Sequence, residues 1–276
     1  MKRMLILAAL AAASVAAQAA GTSLTKGDFA FTGINVNTTV GGWSFVTFVD
    51  IAAGTTIYFT DTNVTQTTSS AGVFSGTAES FWSWTASTAV AAGTSVALHG
   101  SGTNNAVYTA KSGAAGGTAN GTVATLNGTT SNISSGGDIL YAFQAASYAT
   151  NYQAPAITFL GAISNRATPY ATSDNPLAVP GLSGIQLREY RGSADTRYTQ
   201  FTAQTTTGDS PYASMGALKA ALAVSSNWTT STASTSAPVV SDVLAVSAVP
   251  EPQSYALMLA GIAVMGGVAR RRGLRR

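Results

Sequence analysis

From Thr25 onward, hydrophobic and polar residues alternate with a period of two, the spacing of β-strands. In "WSFVTFVDI" (Trp43 to Ile51), Trp43, Phe45, Thr47 and Val49 share one face, and Ser44, Val46, Phe48 and Asp50 share the other. Apolar groups on both faces predict a strand covered on each side. "GTTIYFTD" (Gly54 to Asp61) follows after the short turn Ala52-Ala53-Gly54, and the two strands read as a hairpin. Further strands are predicted at Phe29–Asn35, Ser80–Thr85, Thr94–Gly100, Asp138–Gln144 and Ala156–Ile163, separated by turns rich in Gly, Ser, Thr and Asn. "DIAAGTTIYFTD" from Asp50 echoes "AVAAGTSVALHG" from Ala89. Two copies are too few for a solenoid and fit turn-strand units of one sandwich.

The period changes once. Met215, Leu218 and Leu222 fall at i, i+3 and i+7 with Ser214 ahead of them, which predicts one short helix with a Ser N-cap. Residues 229–248 are Thr/Ser-rich and then apolar. They read as a linker over Thr229–Pro238 and a last strand over Val239–Val246.

Composition narrows the class. Only 9% of the 276 residues are charged while 46% are hydrophobic, and the ten Tyr, ten Phe and four Trp can fill a core. The formal charge of +3 belongs to the ends. Lys2, Arg3, Arg270, Arg271, Arg272, Arg275 and Arg276 are half of the 14 basic residues; without them and Glu251, seven basic residues face ten acidic ones, about −3. A body of that charge argues against nucleic-acid binding. The absence of cysteine rules out disulfides, thiolate metal sites and a Cys nucleophile.

Each end carries its own pattern. Lys2 and Arg3, an apolar run from Met4 to Val15, and Ala17-Gln18-Ala19 form a signal peptide over residues 1–19, with Ala17 and Ala19 as the small residues before cleavage. The alternative is a buried core helix. At the other end, Tyr255–Ala269 is an uncharged, mostly apolar run of 15 residues. As a helix it would span about 22 Å, short for a bilayer core of about 30 Å. Arg270, Arg271 and Arg272 would stop it on the cytoplasmic side. Val249-Pro250-Glu251-Pro252 would then emerge, stiff and extended, on the far side.

The order Pro-Glu-Pro, apolar segment, arginine cluster resembles the PEP-CTERM sorting signal of Gram-negative bacteria, over residues 249–276. That resemblance implies recognition by an exosortase, transient residence in the inner membrane through the short transmembrane helix, and release or relocation of the body to the envelope, surface or extracellular matrix. Proteins with this tail are commonly linked to extracellular polysaccharide and biofilm, and some carry an ice-binding label that describes the tail. The alternative is a plain C-terminal anchor. The body, through "GDFAFTG", "FVTFVDIAAGTTIYFTDTN", "FWSWTA" and "PGLSGIQLREYRGSADTRY", is similar in pattern to the lamin-tail sandwich, an immunoglobulin-like fold. The fold class read here is therefore all-β: a β-sandwich body over residues 25–228 with one short helix, flanked by the signal helix and the C-terminal transmembrane helix.

No catalytic constellation emerges, and no cofactor or metal is called for. His99, the single histidine, ends a predicted strand, and no GxSxG elbow is present. Asp28, Asp50, Asp61, Glu79, Asp138 and Asp174 show no spacing that singles out a glycosidase pair, and Asp in turns is the simpler account. The most charged internal stretch alternates Arg188, Arg191 and Arg197 with Tyr190 and Tyr198. Guanidinium forks and aromatic faces can hold sugars or acidic polysaccharide, although cross-strand pairs with Glu189 and Asp195 would account for the same residues. The expectation is a non-enzymatic exported protein with a structural or polysaccharide-adhesion role. Its rivals are a secreted glycan-active enzyme and an ice-binding protein, the latter disfavoured by irregular threonine spacing.

Overall fold

The computed structural model describes residues 21–38, 41–62, 74, 79–101, 107–112, 118–127, 133, 137–146, 157–166, 182, 185, 187–188, 198–202, 212–231 and 262. Residues 1–20, the strand expected at Val239–Val246 and all of the C-terminal segment except Ile262 lie outside them.

The body is an all-β sandwich. Its strands are β1 (Phe29–Asn35), β2 (Gly42–Thr47), β3 (Thr56–Thr60), β4 (Phe81–Ala86), β5 (Ser95–Ser101), β6 (Val107–Ser112), β7 (Thr118–Asn127), β8 (Ile139–Gln144), β9 (Thr158–Ser164), β10 (Leu187–Arg188), β11 (Tyr198–Phe201) and β12 (Trp228–Ser231). They pair in the order β10-β9-β8-β3-β4-β7-β6-β5-β2-β1-β11-β12. Every ladder is antiparallel except β9–β10. The two halves of this ladder, β10 to β7 and β6 to β12, face each other as two layers, with Phe31 of β1 against Phe59 of β3 and Trp43 of β2 against Trp82 of β4.

Between the layers lies an aromatic core. Trp43 meets Trp82 at 5.1 Å and Phe45 meets Trp84 at 5.4 Å, with Phe29, Phe31 and Phe59 filling in. Part of each outer face is covered too. Over β1 and β2, helix α1 (Met215–Ala223) lays Leu218 and Leu222 on Val46, Phe48 and Phe201. Over the other layer, Phe74 and Leu182 pack on Tyr58, Phe81, Tyr141, Phe143 and Phe159. Every residue of β1 and β2 is consequently buried, as the two-sided apolar pattern predicts.

The hairpin expected between Trp43–Ile51 and Gly54–Asp61 does not form. β2 pairs with β1 and β5, while β3 pairs with β4 and β8 in the other layer. The chain between them crosses from one layer to the other. Alternation records which faces are buried, not which strand lies alongside, so a crossover and a hairpin share one pattern.

The echo noticed at Asp50 and Ala89 is part of a longer repeat. Residues 42–60 recur at 81–99, aligning Trp43-Ser44-Phe45 with Trp82-Ser83-Trp84. The pairing follows the repeat: Trp43 opposes Leu98 as Trp82 opposes Phe59, and Phe45 opposes Val96 as Trp84 opposes Ile57. The first strand of each copy thus pairs with the second strand of the other, about a pseudo-two-fold axis. At the axis Ile51 and Val90 exchange both backbone hydrogen bonds, 2.8 and 2.9 Å. Each copy turns through Ala-Ala-Gly-Thr, with Thr55 N–H donating to Ala52 and Thr94 N–H to Ala91. Gly54 and Gly93, at the third turn position, have φ of 83° and 79°, which suits glycine.

Helix α1 begins as its cap predicts. Ser214 is extended and its hydroxyl accepts from Ala217 N–H at 3.1 Å. At the far end Val224 N–H and Asn227 Nδ2 both donate to the Ala221 carbonyl, and Trp228 Nε1 donates to the Leu222 carbonyl in the last turn. Ser214→Ala should cost about 1 kcal/mol, read as a lower urea midpoint with unchanged slope. The sheet runs past residue 228: β12 pairs with β11 from Trp228↔Phe201 to Ser231↔Tyr198.

Candidate functional site

The sorting residues Val249, Pro250, Glu251 and Pro252, the arginines Arg270, Arg271 and Arg272, and the cleavage residues Ala17 and Ala19 lie outside the described residues. Of residues 249–276 only Ile262 is described; it is helical and exposed. Among the described residues no helix is long and apolar enough to cross a membrane.

The residues expected to touch glycan divide between the layers. Arg188 belongs to β10, which runs parallel to β9 in one layer. Tyr198 opens β11 in the other, between Asn35 and Ser231, and is 7% exposed. Burial pushes its phenol up to about 12. Tyr190, Arg191 and Arg197 lie outside the described residues. His99 sits in β5 between Gly42 and Thr109, a strand position rather than a cleft.

Two places in the β10-to-β7 layer concentrate polar chemistry, at opposite ends of β3. At its C-terminal end, Asp61 is 6% exposed, with Oδ1 accepting from Ser80 N–H at 2.9 Å. Its carboxyl is pushed up to about 8, first by burial and then by the charges of Asp138 and Glu79; the hydrogen bonds from backbone N–H groups pull the other way but less. Asp61 is thus protonated at neutral pH. Asp138 is held by the segment beside it: its N–H donates to Asn165 Oδ1 at 2.6 Å and its Oδ1 accepts from Ile139 N–H. Among the described residues no set of three His, Cys, Asp or Glu side chains is arranged to hold a metal ion.

At the N-terminal end of β3, the strap Gly21–Leu24 crosses the sheet. Thr22 N–H donates to Thr55 Oγ1 at 2.7 Å, and Thr22 Oγ1 accepts from Ala52 N–H at 2.9 Å. Gln144, the last residue of β8, clamps the strap. Its Oε1 accepts from Leu24 N–H at 2.7 Å, and its Nε2 donates to the Thr22 and Thr56 carbonyls at 3.0 Å each. Gly21 fits so closely that a Cβ there would lie 2.9 Å from the Gly54 oxygen. Beside the strap opens a cleft of about 440 Å³. The sequence marks neither Gln144 nor the strap: Gln144 reads as an ordinary polar strand end, and its partner Thr22 lies 122 residues away.

An all-β body ending in a C-terminal address defines an exported protein that carries a sorting signal. Residues 248–276 match the family described as the PEP-CTERM protein-sorting motif, the substrate signal of exosortases. The match identifies the tail and leaves the body unassigned. No curated protein and no solved structure matches the chain, so the likeness of the body to the lamin-tail sandwich rests on its turn and core residues alone.

Proposed function

We propose that this protein is a non-enzymatic surface or extracellular-matrix component, delivered by exosortase processing, whose body acts structurally or holds polysaccharide. The observation that carries the reading is the tail, where a proline-flanked glutamate, a run of 15 uncharged residues and an arginine cluster follow in order. A rigid tripeptide beside a segment short for the bilayer presents an extended substrate to a membrane enzyme. The body supports the rest by its build: apolar side chains cover part of each outer sheet face, and the Asp61 carboxyl is engaged with the Ser80 backbone.

Replacing Pro250 and Pro252 with Ala tests the sorting step. In an exosortase-bearing strain, the variant should stay in the membrane fraction at full length while the wild-type body appears outside, shortened at its C-terminus. Unchanged location and mass, or a mature wild-type chain still ending in Arg276, would refute it.

A second reading, a secreted glycan-active enzyme, is favoured by one observation. A carboxyl raised to about 8 beside two others is the state a general acid needs. Turnover of a polysaccharide that vanishes in Asp61→Asn with the fold intact would establish that reading in place of the first.

A further inference from the structure

We propose that the cleft beside the strap binds one residue of an uncharged polysaccharide; the inference rests on the adhesion reading and gives it a place and a ligand class. At about 440 Å³ the cleft lies within the range of small-molecule sites, about 300–1,000 Å³. Its wall is polar: Thr22, Ser23, Thr55, Thr56, Gln144 and Thr158 all line it. Among the described residues, none lining it carries a side chain charged at neutral pH.

That combination selects a ligand by exclusion. A carboxylate or phosphate entering the cleft would surrender hydration with no cationic side chain among the described wall residues to replace it. An apolar ligand would strip water from hydroxyls and return nothing. A neutral sugar presents hydroxyls that both donate and accept, as Ser and Thr hydroxyls do.

The cleft is also built in advance. The Gln144 amide spends its bonds on Leu24, Thr22 and Thr56, and Thr55 Oγ1 donates to Ala52 while accepting from Thr22. These bonds fix the wall without a ligand, which lowers the ordering cost of binding. Among the described residues, the Ser23 and Thr158 hydroxyls stand outside this network and are the groups left to meet a sugar. At Gly54 a Cβ would meet nothing within 4 Å, so that side of the backbone is open.

The test uses the full-length protein in mild detergent, titrated calorimetrically with neutral gluco-, manno- and galacto-configured tetrasaccharides and with tetragalacturonate as the acidic counterpart. Expected is binding of at least one neutral tetrasaccharide, weaker by tenfold or more for tetragalacturonate. Ser23→Ala and Thr158→Val, which leave the Gln144 clamp intact, should each weaken neutral binding several-fold with unchanged melting temperature. Should Thr158→Val melt early, Ser23→Ala alone decides. Neutral binding that survives both substitutions overturns the cleft and leaves adhesion standing. Equal affinity for tetragalacturonate overturns the ligand class, no binding by any neutral member overturns the proposal, and the adhesion premise falls with it when tetragalacturonate also fails to bind.

Discussion

Asp61→Asn is expected to stabilise the body at neutral pH and to flatten its stability between pH 4 and 8. The wild-type carboxyl titrates near 3.8 when free and near 8 when folded. Below pH 4 both states hold the proton and nothing is lost. Between pH 4 and 8 the unfolded chain releases the proton while the folded chain keeps it, so each pH unit removes about 1.4 kcal/mol of stability. Above pH 8 the folded group ionises as well and the loss levels off. At pH 7 the difference from a neutral amide reaches up to about 4 kcal/mol. Asparagine retains an Oδ1 for the Ser80 N–H, so the 2.9 Å bond that ties β3 to β4 has a replacement acceptor. Urea midpoints of both proteins at pH 4.5, 6 and 7.5 decide the matter. The wild type should fall relative to the variant as pH rises, and parallel profiles would mean that Asp61 ionises freely in the folded body.

The neighbourhood of Asp61 shows where sequence reading stops. Asp in the turn after a strand usually bonds the local backbone, and nothing in "FTDTN" marks this one as buried against Ser80, 19 residues later. The strands themselves were legible wherever apolar residues alternate. Phe29–Asn35 falls where predicted, and the double-sided pattern of "WSFVTFVDI" reports a helix on one face and a second sheet on the other. β7 escaped notice because "TANGTVATLN" is rich in poor strand formers; it is a strand because β4 and β6 hold it on both sides. Half of the repeat was visible as an echo. The other half, Trp43 against Trp82, takes meaning only from the exchange of strands between copies, which needs the pairing of β2 with β5 and β3 with β4. The tail was legible because its signal is linear: a sorting enzyme reads order along the chain, whereas a clamp such as Gln144 is made by folding.

The same repeat frames the largest loss expected from a single methyl group. Gly42→Ala should destabilise the body by about 3 kcal/mol or more. Gly42 has φ of 151°, and a Cβ there would run into the Leu98 carbonyl oxygen, a backbone atom that no rotamer change can move aside. Relief requires β2 and β5 to separate where Gly42 opposes His99, one residue before Trp43 enters the core against Trp82. The repeat does not itself demand glycine: the equivalent position in the second copy is Phe81, which opposes Thr60 without such a clash. Gly54→Ala supplies the control, because φ is also positive at 83° but the space around a Cβ is empty. It should cost only the left-handed strain, about 1 kcal/mol. Equal losses in the two variants would show that β5 can yield at Leu98 and that the pairing of the two copies is looser than the shared core implies.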